Sequence, residues 1–309
     1  MTLPPKVVIR EVGPREGFQT HRQIVPTESK LELISKLNRV GLSYIEIASF
    51  VRPDRVPQMA DAELIAQRFE RRPGTEYWGL YLNLEGFERA ESTGRLDNRG
   101  WIYTACSESF LKRNSNTSRG KVIEQLPGWL SAFKARGKKF HGLVVSNAFG
   151  CSIEGAVNPT TVIETISGVV SKAEELNEKF SEISLADTVG WGNPELIKKV
   201  VGAVRSRWPE VEIALHLHDT RGSGLANAYA GLEMGVHTFD GSVGGMGGCP
   251  FAPGAAGNIA SEELVLMCEE MGVSTGLDLN AYLEAASFAE LIMGVPLMGK
   301  LHGRASKSE

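Results

Sequence analysis

Residues 183–218 run ISLADTVGWGNPELIKKVVGAVRSRWPEVEIALHLH, and they read as strand, helix, strand. Ile183–Asp187 and Ile213–His218 are short, continuous apolar runs, the pattern of strands buried on both faces. Between them Asn193-Pro194-Glu195 opens a helix with Leu196, Ile197, Val200, Val201 and Val204 on one stripe, and Pro209 stops it. A strand that returns through a helix to another strand of the same kind is a parallel βαβ unit.

The same unit recurs in both directions along the chain. Val7–Glu11, Tyr44–Phe50, Tyr77–Leu82, Trp101–Ala105, Phe140–Val145 and Thr238–Val243 are further β-branched or aromatic runs, which makes eight strands with the two above. Leu31, Leu33, Ile34, Leu37 and Val40 follow Pro26-Thr27 at helical spacing, with Gly41 as the C-cap. Leu225, Ala228, Tyr229, Leu232 and Met234 mark another helix after the seventh strand. Eight alternations without a linker predict a single (β/α)8 TIM barrel over residues 1–295, with the active site at the C-terminal ends of the strands. A doubly wound open sheet is the competing α/β arrangement. From Pro296 the periodicity stops, so residues 296–309 read as a tail or a short docking segment.

Composition narrows the partners. The 309 residues carry 33 basic and 37 acidic side chains, a net charge of −4, so there is no electrostatic case for nucleic acid or a membrane surface. No apolar run reaches the length of a membrane span, and the first residues carry no signal-peptide pattern, so the expected location is cytoplasmic. Cys106, Cys151, Cys249 and Cys268 are far apart, which argues against both a zinc site and a disulfide framework. Cys268 lies within an amphipathic helix and reads as core.

The strand ends hold the polar residues that point to chemistry. In Leu215-His216-Leu217-His218-Asp219, two histidines two apart on a strand face one side and can share a metal ion; two unrelated polar residues would look the same. The first strand runs into Gly13-Pro14-Arg15-Glu16-Gly17-Phe18-Gln19, where Glu16 can be a third ligand and Arg15 can polarise a carbonyl. A surface ion pair is the plainer reading of Arg15-Glu16. After the eighth strand comes a glycine-rich segment, residues 244–258, with Cys249 and Asn258 inside it; it reads as a close-approach loop or lid, or else as a linker. Asn258 can offer a neutral oxygen to a hard cation. Asp187 ends the sixth strand and Glu46 lies within the second, and a carboxylate in an apolar strand needs a partner or a function. A buried ion pair with Arg15 is open to either.

Taken together, Glu11–Gln19, Ile45–Phe50 with Val56–Met59, Ser107–Phe110 with Asn114, Ser184–Gly190, His216–Thr220 and Gly247–Pro250 with Gly257-Asn258 resemble the 3-hydroxy-3-methylglutaryl-CoA lyases and the wider class of barrel metallolyases and Claisen-type synthases. The resemblance covers about Val7 to Gly294. It implies a reverse Claisen cleavage of a 3-hydroxy acyl-CoA, with coenzyme A as part of substrate and product and a role in leucine degradation. It assigns a divalent cation, Mg²⁺ or Mn²⁺, to Glu16, His216, His218 and Asn258. It further assigns carbonyl polarisation to Arg15, acid–base and positioning roles to Asp187, Glu46 and His216, and a proton transfer to Cys249. Gln19, Ser107 and Asn114 fall on segments that would meet the coenzyme, and a homodimer or higher homo-oligomer is expected.

The chain departs from that family at Glu16, where aspartate is usual, and at Arg221, where tyrosine is usual. Ser146–Ser152 and Trp191 differ as well. Arg221 is thus a candidate for substrate specificity through a bidentate carboxylate pair, with a surface ion pair or a coenzyme phosphate contact as its alternatives. These departures admit a related substrate such as citramalyl-CoA. A condensing acyltransferase, a non-haem iron oxygenase and a non-catalytic binding module are the more distant readings.

Overall fold

The structure is a computed structural model that describes residues 3–248 and 257–301. Eight strands occur where the sequence predicts them: β1 (Val8–Glu11), β2 (Tyr44–Ser49), β3 (Glu76–Leu80), β4 (Gly100–Ala105), β5 (Phe140–Ser146), β6 (Glu182–Asp187), β7 (Glu212–Leu217) and β8 (Thr238–Gly241). Their paired neighbours are parallel and helices separate them in sequence, which is the (β/α)8 architecture.

The contacts divide the chain into two compact units. One spans Arg99–His237 and holds β4 to β7, with β4 paired to β5, β5 to β6 and β6 to β7. The other comprises Pro4–Asn98 and the chain from Thr238 onward, where β1 pairs with both β8 and β2, and β2 with β3. Each unit buries its own apolar interior: Leu143, Val145, Ile183, Leu185, Ile213 and Leu215 in the first, Ile45, Ala48, Tyr77 and Phe239 in the second. A fully buried Leu or Ile contributes roughly 1.5–3 kcal/mol, so strands built almost wholly of such residues hold the strand ends in register.

Four features sharpen the sequence reading. Gly13–Thr20, the segment that follows the first strand, is a helix, α1, with Pro14 in its first turn, where the missing N–H costs nothing. Arg15 and Glu16 therefore project from a helix. The helix expected after Pro26 is α2 (Thr27–Val40), capped by Gly41 at φ 93°. Asn193 caps the helix Pro194–Arg207 through its side chain, which accepts from Leu196 N. Past the last helix, Leu279–Met293, the chain docks back: Gly299 N donates to Gly244 O at 3.0 Å, and Leu297 N donates to Glu290 Oε2 at 3.0 Å.

Beneath the end of β1, Glu11 is fully buried and accepts four hydrogen bonds, from Gly13 N at 2.6 Å, Val243 N at 3.0 Å, Ser261 Oγ at 2.8 Å and Tyr282 Oη at 2.5 Å. One carboxylate thereby fixes the exits of β1 and β8 to two helices, Ser261–Glu270 and Leu279–Met293. Burial pushes its pKa up to about 7 against the pull of these donors.

Candidate active site

At the β1–β2 end, the Arg15 guanidinium spans two carboxylates. Its Nε donates to Glu46 Oε2 at 2.5 Å and its Nη2 pairs with Glu16 Oε1 at 2.8 Å, all three side chains being at most 14% exposed. Glu46 therefore takes the ion-pair role, and the alternative pairing of Asp187 with Arg15 is not needed to explain a buried charge. Burial raises the pKa of Glu46, and the Arg15 charge offsets part of that rise. With two carboxylates to one guanidinium the group carries a net negative charge, which favours a cation nearby.

Asn258 joins the same group. Its Nδ2 donates to Glu16 Oε2 at 2.6 Å and to Met246 O at 3.1 Å. The amide is thus oriented by two acceptors, which leaves its buried Oδ1 without a hydrogen-bond partner. A buried acceptor with no donor is costly unless something electropositive reaches it. Two glycines make room for this side chain. A Cβ on Gly247 (φ 92°) would stand 2.8 Å from Asn258 Nδ2, and one on Gly257 would fall 1.2 Å from the carbonyl oxygen of Gly247. Cys249, between them in sequence, lies outside the described residues.

At the β6–β7 end, within the other unit, His216 and His218 bring their Nε2 atoms to 3.2 Å from each other. The two-residue spacing on β7 does this, since alternate side chains emerge on the same face. Two donors at cis positions of an octahedral cation, each about 2.1 Å from it, would be about 3.0 Å apart, so the pair fits one ion. Asp187, fully buried, accepts from Trp191 N at 2.8 Å on Oδ1 and from Gly192 N at 2.9 Å on Oδ2. Burial pushes its pKa up to about 6, against these two donors and the charges of His216 and Arg221. A carboxyl poised there exchanges protons near neutral pH.

The expected coenzyme residues are dispersed in character. Ser107 is fully buried; its hydroxyl caps the helix Glu108–Ser115 by accepting from Phe110 N and receives a hydrogen bond from Cys151 Sγ at 3.2 Å. Asn114 is exposed on the same helix. Gln19 lies on α1 with a buried Oε1 that has no hydrogen-bond partner. Two features went unread in the sequence. Glu11 could have been found as Glu46 was, as an acid inside an apolar strand. The stacking of Arg221 on Trp191, 4.2 Å from guanidinium carbon to ring centroid, joins two loops far apart in the chain and leaves no local pattern.

The HMGL-like family profile matches residues 6–289. Mitochondrial hydroxymethylglutaryl-CoA lyase of Mus musculus is 42% identical over 287 residues, which cover 93% of this chain and 86% of that protein. Among solved structures, HMG-CoA lyase of Bacillus subtilis superposes with a TM-score of 0.91 at 38% identity over 100% of both chains. An HMG-CoA lyase from Acinetobacter baumannii, in complex with coenzyme A and 3-methylmalate, gives 0.87 at 33% identity over 100% of this chain and 97% of that one.

Proposed function

The chain belongs to the HMGL-like family, and on that footing we propose that it is a metal-dependent carbon–carbon lyase that cleaves 3-hydroxy-3-methylglutaryl-CoA to acetyl-CoA and acetoacetate. The observation that carries the reading is the convergence of the His216 and His218 Nε2 atoms beside a buried carboxyl, Asp187, in a family whose relatives are named for this cleavage.

In this reading Glu16, Asn258, His216 and His218 hold one Mg²⁺ or Mn²⁺. The partnerless Oδ1 of Asn258 supports an oxygen-seeking ion, and the Glu16 carboxylate to which the same amide is bound supplies a hard anionic oxygen donor. When bound, the cation supplies positive charge that makes the substrate's C3 hydroxyl more acidic. Asp187 takes the hydroxyl proton. The C2–C3 bond breaks, C3 becomes the ketone of acetoacetate, and the electron pair passes to C2 and the thioester oxygen. Arg15 meets that developing negative charge, held in place by Glu46 at its other edge. Cys249 delivers the proton to C2. Cytoplasmic residence, a homo-oligomeric state and a part in leucine degradation belong to the same proposal.

A related acyl-CoA such as citramalyl-CoA is the second reading, favoured by the solved relative that holds coenzyme A with 3-methylmalate. The test is to incubate the protein with Mg²⁺ or Mn²⁺ and both enantiomers of each acyl-CoA, following acetyl-CoA and the oxo-acid by mass spectrometry. Acetoacetate release that disappears in His216→Ala is the expected result. Cleavage of citramalyl-CoA alone would move the assignment to the second reading. Metal binding with no cleavage of either would overturn both.

A further inference from the structure

The loops after β5, β6 and β7 are locked together around one tryptophan. Trp191 lies with its ring against Gly150, where a Cβ would stand 2.2 Å from the indole Cγ, so no other residue at position 150 leaves the ring in place. The preceding Gly190, at φ 62°, lies against Thr220; a Cβ there would stand 2.6 Å from the Thr220 Cβ. Asp187 holds the Trp191 and Gly192 amides from below.

Arg221 is presented on this platform by an equally determined turn. Gly222 N donates to Asp219 O at 2.8 Å, Gly224 N donates to Asp219 Oδ1 at 2.6 Å, and Gly222 takes φ 72°. The guanidinium lies on the Trp191 face at 4.2 Å. Stacking uses the face of a guanidinium and leaves its in-plane N–H donors directed outward. Among the described residues no carboxylate forms an ion pair with Arg221 and no acceptor takes a hydrogen bond from it, and the side chain is exposed. Structural arginines are ordinarily paired; one held rigid with its fork directed to solvent is arranged to receive an anion.

Position identifies the anion. Trp191 connects Arg221, through its ring, to Asp187, through its backbone, so the guanidinium belongs to the neighbourhood of the group that acts on C3. The phosphates of a coenzyme A thioester are separated from the reacting carbons by the whole pantetheine arm, whereas a carboxylate on the acyl group is not.

We propose that Arg221, stacked on Trp191, is a specificity-determining residue that pairs with a free carboxylate on the acyl group, so that the enzyme selects dicarboxylic over monocarboxylic 3-hydroxy acyl thioesters. This rests on the cleavage proposed above. The experiment compares 3-hydroxy-3-methylglutaryl-CoA with the same compound capped at its carboxylate as a methyl ester. The expected result is that the acid-to-ester ratio of kcat/KM falls about 10- to 100-fold in Arg221→Gln, the worth of a hydrogen bond to a charged group. Arg221→Lys loses less, and Trp191→Leu falls between them because the guanidinium loses its platform. An unchanged ratio overturns the proposal. So does an equal loss on both substrates, which is the signature of a coenzyme phosphate contact.

If the wild-type protein cleaves neither compound, the cleavage reading fails and binding decides the carboxylate site. Free 3-hydroxy-3-methylglutarate is titrated while tryptophan fluorescence is followed, with Trp191→Phe identifying the responding ring. Binding weakened at least about tenfold in Arg221→Gln sustains the site, and unweakened binding ends it. Unchanged thermal melting of each variant guards against misfolding.

Discussion

The strand-end acids of the two units are held in opposite ways. Around β1 and β2, Glu16 and Glu46 are bound to one guanidinium, and Asn258 is strapped to Glu16. Around β6, Asp187 is held by backbone N–H groups, with no cation in contact among the described residues. Both regions are buried, so burial alone does not separate them. Burial raises both pKa values; an in-contact guanidinium offsets part of the rise at Glu46, while at Asp187, pushed up to about 6, two backbone amides are the main counterweight. The first arrangement ties its carboxyls to a guanidinium; the second leaves a carboxyl held only by amides, with its pKa at about 6. In the proposed mechanism the first serves to position and the second to exchange a proton.

The most drastic way to break this division is to remove the guanidinium. Arg15→Gln is expected to lower kcat by about 10²–10³-fold, as the loss of a preorganised charge at a developing oxyanion does, measured by steady-state acetyl-CoA release. The same change leaves Glu46 buried without its partner, so a lowered melting temperature should accompany it. Conversely, Asp187→Asn is expected to cost about 10²-fold in kcat. Its diagnostic is the pH profile. A base must be ionised to act, so wild-type kcat/KM should rise as pH passes upward through about 6 and then level, and the variant should lose that rise. A rise retained in the variant would place the proton acceptor elsewhere.

Glu11 sharpens the comparison by being buried like Asp187 yet structural. Its pKa, pushed up from 4.5 to about 7, means that the folded protein holds a proton there which the unfolded chain has released. Unfolding free energy should therefore fall as pH rises from about 4.5 to about 7, by about 3 kcal/mol for this residue. In Glu11→Gln that slope should vanish in urea melts across the same pH range, whereas kcat should change far less than in Asp187→Asn. The smallest expected effect is at Asn258. If Asn258 is a ligand as proposed, Asn258→Ala should weaken Mn²⁺ binding about 10-fold, read by calorimetry, without altering the pH at which the rate rises.

The histidine pair was legible because a strand has period two: His216 and His218 must share a face whatever surrounds them. Glu46 and Asp187 were legible as acids in apolar runs, but which of them pairs with Arg15 was not, because that depends on where α1 begins. The sequence reading placed Arg15 and Glu16 just past the end of the first strand and assigned them no helix. Pro14 is as much at home in a helix's first turn as in a turn, and Gly13 and Gly17 argued against a helix; Gly17 is tolerated because Met246 presses against it, its Cβ 2.7 Å from where a Cβ on Gly17 would lie.

By itself, then, the sequence determined the eight-fold alternation, the faces of the strands and the chemical types gathered at their ends. These follow from local periodicity and from the cost of placing polar groups in apolar runs. Tertiary structure alone decided the partners: Glu46 for Arg15, the four donors on Glu11, the stack of Arg221 on Trp191. Each joins residues whose separation along the chain carries no period, and each turns on ångström-scale fit, such as the missing Cβ of Gly150, that no sequence pattern encodes.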